Sequence, residues 1–476
     1  MKILYASSEV RPFAASGGLS DVAGSLPNAL RKRLVGARVV LPLYSCVGEE
    51  YRSAMTFLGS ITVPVAWRRQ YCGIFELHAN GVIYYFLDNE YYFKRDGLYG
   101  YYDDAERFAF FSRAILEILP YIGWKPDMIH CNDWQTALTP VYLSAMYSQD
   151  PFYSGIKTVF TIHNIQYQGK YGPEIIGDVV GLPDDKVHLL EYDGCMNFLK
   201  GAIECADRVT TVSPTYAKEI LDPWYSFGLD PILREREWKL RGILNGIDVV
   251  SYDPQTDKAI AAPYSAKDVS GKAECKTALQ KELNLPAVPD VPVIGVVSRL
   301  VSHKGFDLVK AILEELLQTE NVQFAVLGAG DWQYESFFGE IASRYPAKFG
   351  LRLGFEPDLA RRVYAGSDIF LMPSKSEPCG LSQMLALRYG SVPIVRETGG
   401  LKDSVSDSLD GEGTGFTFAG YNAGELLYTV RRALGGYSDP DGWEKLVRRG
   451  MSADFSWKKS AGEYVRLYKE ILGAES

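Results

Sequence analysis

Short, continuously apolar runs recur along this chain, each followed by a stretch with helical spacing. They are "KILYAS", "ARVVLPLY", "DMIHCND", "KTVFTIHN" and "DRVTTVS", then "VPVIGVVSRL", "VQFAVLGAG", "LRLGF", "DIFLMPS" and "VPIVRET". Strands with one solvated face alternate in polarity, whereas unbroken apolar strands are covered on both faces, so the pattern predicts parallel sheets in a doubly wound α/β fold. Between Asp248, at the end of "RGILNGID", and Pro292 lies a polar, Pro-containing stretch without clear periodicity, which reads as a linker. The strand-helix alternation then starts afresh. With 476 residues, more than one core supports, two similar domains in tandem are the simplest account.

Composition removes several classes of function. A hydrophobic fraction of 47% with 23% charged residues describes a chain that folds throughout. The net charge of −9 is spread without long runs of one sign, so neither nucleic acid nor an anionic membrane is an expected partner. Seven cysteines form no CxxC pair, which suits free thiols in a reducing compartment. The sequence opens on its first strand, and no apolar run approaches the roughly 20 residues of a membrane span; a cytoplasmic location is expected. No HExxH pattern occurs among the five histidines, and the acidic pairs at 103–104, 184–185 and 439/441 sit in loop-like contexts, so no metal site is expected.

In open α/β sheets ligands bind beyond the carboxyl ends of the strands. Polar residues at those places are Ser8 and Glu9, His130, Asp133 and Trp134, His163 and Asn164, Asn245, Arg299 and Glu377. Lys304 follows Arg299 closely at the start of a helical pattern; a guanidinium with an ammonium can neutralise a diphosphate leaving group, a role otherwise filled by a divalent metal. "SGGLSDVAGSL" at 16–26 is echoed by "TGGLKDSVSDSL" at 398–409, each after a strand and each opening a helix. Such turns, at Gly17-Gly18 and Gly399-Gly400, expose N–H groups that suit phosphate; a single one serves equally to let strand and helix pack closely. The aromatic-rich stretch 84–104 is consistent with an oligosaccharide-binding loop or a β-hairpin edge packed by tyrosines.

Taken together, these residues resemble the bacterial glycogen synthase and plant starch synthase family, glycosyltransferase family 5. The stretches that carry the resemblance are "SSEVRPFAASGGLSDVAGSLPNAL", "HCNDWQTAL", "FTIHNIQYQG", "RVTTVSPTYAKEI", "LNGID", "VSRLVSHKGFDLV", "LGAGD", "PSKSEPCGLSQMLALRYGSVPIVRETGGLKDSV" and "GTGFTF", in the family's order over nearly the whole chain. The resemblance implies a GT-B fold: Rossmann-like domains over 1–248 and 249–455 facing a cleft, a terminal helix over 456–476 crossing back, and domain closure within the cycle. It implies transfer of glucose from ADP-glucose to the non-reducing end of an α-1,4-glucan, with retention and with neither metal nor cofactor. Arg299 and Lys304 would stabilise the departing diphosphate, and Glu377 would bind the donor glucose. Asp133, His163 and Asn245 would line the sugar side, and Phe355 would face adenine. The remaining substrate contacts would come from Gly17, Gly18, Asp21, Cys379, Gly380, Thr398, Gly399 and Gly400.

One position departs from the family pattern. The family's first glycine motif is Lys-x-Gly-Gly-Leu, and the lysine position is Ala15 here. Three readings stay open: an active synthase for which the remaining cations suffice, one in which Arg11 substitutes, and a weak or inactive homologue that binds α-glucan. A retaining transferase using UDP-glucose or another acceptor is the further alternative.

Overall fold

The computed structural model describes residues 1–409 and 411–473. The chain divides into two compact units, Met1–Asn245 together with the stretch from Trp457 on, and Gly246–Ser456.

The first unit is built on a nine-stranded sheet. Its strands are β1 (Lys2–Ala6), β2 (Gly36–Pro42), β3 (Thr56–Val65), β4 (Arg68–Ala79), β5 (Val82–Asp88), β6 (Met128–Asn132), β7 (Lys157–Ile162), β11 (Arg208–Thr211) and β12 (Leu240–Gly242). Between β7 and β11 the short strands β8 (Lys170–Tyr171), β9 (Glu191–Tyr192) and β10 (Cys195–Asn197) form a small antiparallel sheet. The large sheet runs in the order β12-β11-β7-β6-β1-β2-β5-β4-β3. Pairing is parallel from β12 to β5, and β4 and β3 then add antiparallel.

That antiparallel edge corrects the expectation of parallel strands alone. β3 and β4 mix exposed and buried positions, so they lack the continuous apolar run of a strand covered on both faces. Asn80 (φ 51°) and Gly81 (φ 74°) turn β4 into β5 with the left-handed pair that tight hairpins prefer. The aromatic stretch 84–104 is not a hairpin edge either. Tyr84, Tyr85 and Phe86 lie in β5, between β2 and β4, and Tyr92 and Phe93 are buried in a short helix, Glu90–Phe93. Beyond it the loop to Asp104 is fastened by Arg107, fully buried, which donates to the carbonyls of Tyr92 and Leu98 and pairs with Asp104.

The second unit holds a six-stranded, wholly parallel sheet. β13 (Val293–Val297), β14 (Gln323–Gly328), β15 (Phe349–Leu353), β16 (Ile369–Met372), β17 (Val392–Arg396) and β18 (Phe416–Phe418) lie in the order β15-β14-β13-β16-β17-β18. Among the parallel strands of each sheet the order reverses once, at β1 with β6 in the first and at β13 with β16 in the second. Connections leave in opposite directions there and open a crevice at the carboxyl ends.

The helix Trp457–Leu472 packs within the first unit. Trp457, Ala461, Tyr464 and Tyr468 recur at one-face helical spacing and join Leu467 in the core cluster that holds Tyr5, Val22, Leu26 and Leu30. Each large side chain buried there contributes about 1.5–3 kcal/mol. Leu467→Ala is therefore expected to destabilise the first unit by about 2–5 kcal/mol, read as a lowered urea midpoint in equilibrium unfolding.

Candidate active site

In the first unit the segment after β1 is organised by one carboxylate. Glu9, 5% exposed, accepts from the Ser16 N–H at 2.5 Å, the Gly17 N–H at 3.1 Å, the Ser16 hydroxyl at 2.8 Å and the Tyr99 hydroxyl at 2.8 Å. Tyr99 also meets the Ser8 hydroxyl at 2.8 Å, which fastens the aromatic loop to the strand end. The Gly17 N–H, expected to face phosphate, is thus engaged by an internal anion. Gly18 and Leu19 open the helix Gly18–Arg31, and their N–H groups have no intrahelical acceptor. A Cβ added at Gly17 or Gly18 would meet no protein atom within 4 Å, so packing in this unit does not require glycine at either position. Ala15 is exposed beside them. Arg11 pairs with Asp21 at 3.1 Å on the first turn of that helix; burial pushes the Asp21 carboxyl up and Arg11 opposes the shift.

On the neighbouring strands, Asp133 follows β6 with φ 55° and ψ 178°, a region that residues with a side chain rarely occupy. Its own N–H bonds the Thr161 carbonyl, and its carboxylate accepts the His163 N–H at 2.7 Å and the Asn164 N–H. These bonds hold the strained turn. Burial pushes the Asp133 carboxyl up to about 7 against those N–H bonds, and the same surroundings push His163 down to about 3, so its ring is neutral. The His163 Nε2 lies 2.9 Å from Asn132 Oδ1. His130, by contrast, is a core group, wholly buried between the Tyr468 and Thr161 hydroxyls, each at 2.6 Å. Asn245, 5% exposed, has a buried Oδ1 with no hydrogen-bond partner.

In the second unit the site gathers where β13 and β16 diverge. Lys304 ends the short turn Ser302–Lys304, and its Nζ lies 2.5 Å from Glu377 Oε2, to which Ser374 also donates at 3.2 Å. Lys304 and Glu377, read separately as a phosphate ligand and a sugar ligand, are an ion pair here. Arg299 is exposed and lies close enough to His303, next to Lys304 in the chain, to act on its charge. It and Lys304 both press the His303 imidazole below its usual range, after the larger effect of burial. Gly305 (φ 81°) is required, because a Cβ there would run into the Pro373 carbonyl.

The loop carrying Glu377 rests on the second Gly-Gly turn. A Cβ at Gly399 would run into the Glu377 carbonyl, and one at Gly400 into that of Cys379. The Gly400 N–H donates to the carbonyls of Glu377 and Pro378 at 3.1 and 3.2 Å. Like that of Gly17, it is therefore engaged within the protein, and this turn serves the close approach of two segments. Gln383 donates to the carbonyls of Cys379 and Gly380, the latter with φ 71°, and Thr398 occupies the N-cap position of the helix Gly399–Ser404, fully buried. Phe355 stands apart from this group, beyond the edge strand β15, and is 82% exposed. Glu9 was visible in the sequence only as a strand-end candidate; the roles of Asn132, Tyr99 and Arg396 were not read there. Arg396 donates to the carbonyls of Ser374, Lys375 and Ala419 and so splints the segment leading to Glu377.

The raised Asp133 has a stability consequence. Folded protein keeps a proton that unfolded chain has released between about pH 4 and 7, so this group's contribution is fully present at low pH and is lost as pH rises through about 7. Asp133→Asn is expected to flatten that decline, seen by comparing urea midpoints of both proteins at pH 5 and pH 7.5.

Comparison with known proteins identifies the family. Residues 2–235 match the model of the starch synthase catalytic domain, and residues 281–448 match that of glycosyl transferases group 1. Glycogen synthase of Geobacillus thermodenitrificans is 50% identical over 100% of this chain and 99% of its own length. That of Clostridium novyi is 49% identical over 99% of both. Among solved structures, the catalytic domain of starch synthase IV from Arabidopsis thaliana, bound to ADP and acarbose, superposes with a TM-score of 0.91 at 35% identity, covering 99% of both chains. With half its residues shared over its full length and the same GT-B fold, the chain belongs to the glycogen and starch synthase family, the glucosyltransferases of glycogen synthesis.

Proposed function

We propose that this enzyme takes ADP-glucose as donor and extends the non-reducing end of an α-1,4-glucan with retention of anomeric configuration, in the cytoplasm and without metal or cofactor. The observation that carries the reading is the grouping of Arg299 with the Lys304–Glu377 pair where β13 and β16 diverge. When the C1–O bond to the diphosphate breaks, one further negative charge develops on the leaving group and makes its terminal phosphate a dianion, and fixed cations stabilise that charge without reorganising. Arg299 and Lys304 supply those cations.

Glu377 has two tasks in this scheme. It holds Lys304 in place before substrate arrives, and its carboxylate accepts hydroxyls of the donor glucose. Phe355 offers an exposed ring to adenine, while His163, Asp133 and the buried Asn245 Oδ1 serve the sugar side. As C1 bonds to the acceptor oxygen, the acceptor's proton passes to the departing phosphate oxygen, which removes the need for a separate base. The ADP and acarbose bound to the related starch synthase support a nucleotide of this kind and a glucan-like acceptor.

Purified protein with ADP-glucose and glycogen is expected to release ADP and lengthen the glucan, at a rate exceeding that with UDP-glucose. Arg299→Ala is expected to lower kcat by about 10²–10³, the loss typical of a preorganised charge-stabilising donor. Glucan retardation in a native gel without turnover would move the reading to a glucan-binding homologue. Ala15→Lys tests the missing cation. A new charge-assisted phosphate contact is worth about 1.5–3 kcal/mol, so turnover is expected to rise about tenfold or more. A fall in turnover, with Arg11→Ala more damaging still, would instead assign the cation's role to Arg11.

A further inference from the structure

Asn132 is fully buried at the end of β6, and its amide is oriented by its surroundings. Its Nδ2 donates to the Ala6 carbonyl at 2.9 Å and approaches the His130 carbonyl at 3.4 Å. A carbonyl only accepts, so the amide nitrogen must face these two groups; a flipped amide would set oxygen against oxygen. The Oδ1 therefore points the other way. There it takes the Tyr5 hydroxyl at 2.9 Å and lies 2.9 Å from His163 Nε2. An amide oxygen cannot donate, so the proton of that contact belongs to the imidazole. In a neutral ring this leaves Nδ1 with the lone pair, and among the described residues Nδ1 has no hydrogen-bond partner. His163 is neither exposed nor fully buried, so its free edge remains within reach of a ligand.

We propose that Asn132 is a positioning residue for the reaction: it fixes His163 as the Nε2–H tautomer and so makes Nδ1 an acceptor, selective for a hydroxyl of the sugar substrate that donates. The inference rests on the glucosyl-transfer reading for the identity of the sugar, but the tautomer is a property of the protein alone. A ring held in the other tautomer would present a donor at the same place and would meet a substrate hydroxyl with different preference.

The test reads the two parts separately. Full-length protein labelled with ¹⁵N-histidine, without substrate at pH 7.5, is examined by long-range ¹H–¹⁵N correlation, with the His163 signals assigned by their loss in His163→Gln. The expected pattern is that of a neutral ring protonated at Nε2; an Nδ1–H or imidazolium pattern would overturn the proposal. Tyr5→Phe, which removes the other donor to Oδ1, is expected to leave the pattern unchanged. Asn132→Asp keeps the shape and supplies a carboxylate that stabilises the doubly protonated ring. There the His163 signals are expected to move to the imidazolium pattern, and kcat with ADP-glucose to fall about tenfold or more while KM for glycogen changes far less. An unaltered pattern or an unaltered kcat in that variant overturns the assignment. If Asn132→Asp does not fold, the wild-type and Tyr5→Phe spectra still decide the tautomer. Absence of ADP-glucose turnover with the Nε2–H pattern intact would count against the glucosyl-transfer reading and not against the role of Asn132 in setting the tautomer.

Discussion

Glu377 is tied into the second sheet's rim through both its main chain and its side chain, and the geometry of the loop at that rim depends on both ties. Its carbonyl accepts from the Gly400 N–H, which seats the loop on the turn after β17, and its carboxylate holds Lys304, on the turn after β13. Removal of either tie leaves a loop without its support or a partly buried charge without its partner, and a lost charge partner is costly in a low-dielectric setting. Gly305, Gly399 and Gly400 follow from this arrangement. Each lacks a side chain because a neighbouring carbonyl stands where a Cβ would be. Arg396 completes the splint from beneath.

The first unit reaches a comparable end by a different device. Glu9 collects four donors from two segments and converts a glycine-rich turn, formally an anion site, into one already bound to a carboxylate. The two Gly-Gly turns that look alike in sequence are therefore not equivalent. At Gly399-Gly400 glycine is required by internal contact, whereas at Gly17-Gly18 no protein atom demands it. Strain adds to this picture at Asp133, whose unusual backbone is held by bonds to the His163 and Asn164 N–H groups.

Much of the fold was legible in the residues. Runs such as "VQFAVLGAG" and "DIFLMPS" are unbroken because both faces of a parallel sheet are covered, and they became β14 and β16. β3 and β4 were missed because an edge hairpin is only partly buried, although Asn80-Gly81 carried a hairpin signal. Among candidate residues, Arg299 and Glu377 were singled out because each follows a buried strand, and Lys304 because it opens the helical pattern just after Arg299. Their pairing was not readable, since Lys304 and Glu377 lie 73 positions apart and only the order of β13 and β16 brings them to 2.5 Å.

Sequence by itself determined the class of fold, the family and the positions where polar groups leave the sheets, because hydrophobic periodicity and strand-end placement are local properties. Tertiary structure alone decided which N–H groups remain available, which cation is already paired and which edge of His163 is free. Those outcomes depend on contacts such as Glu9 with Gly17 and Asn132 with His163, made between residues on different segments. A hydrogen bond is set by distance and orientation, and neither exists until the strands are ordered side by side.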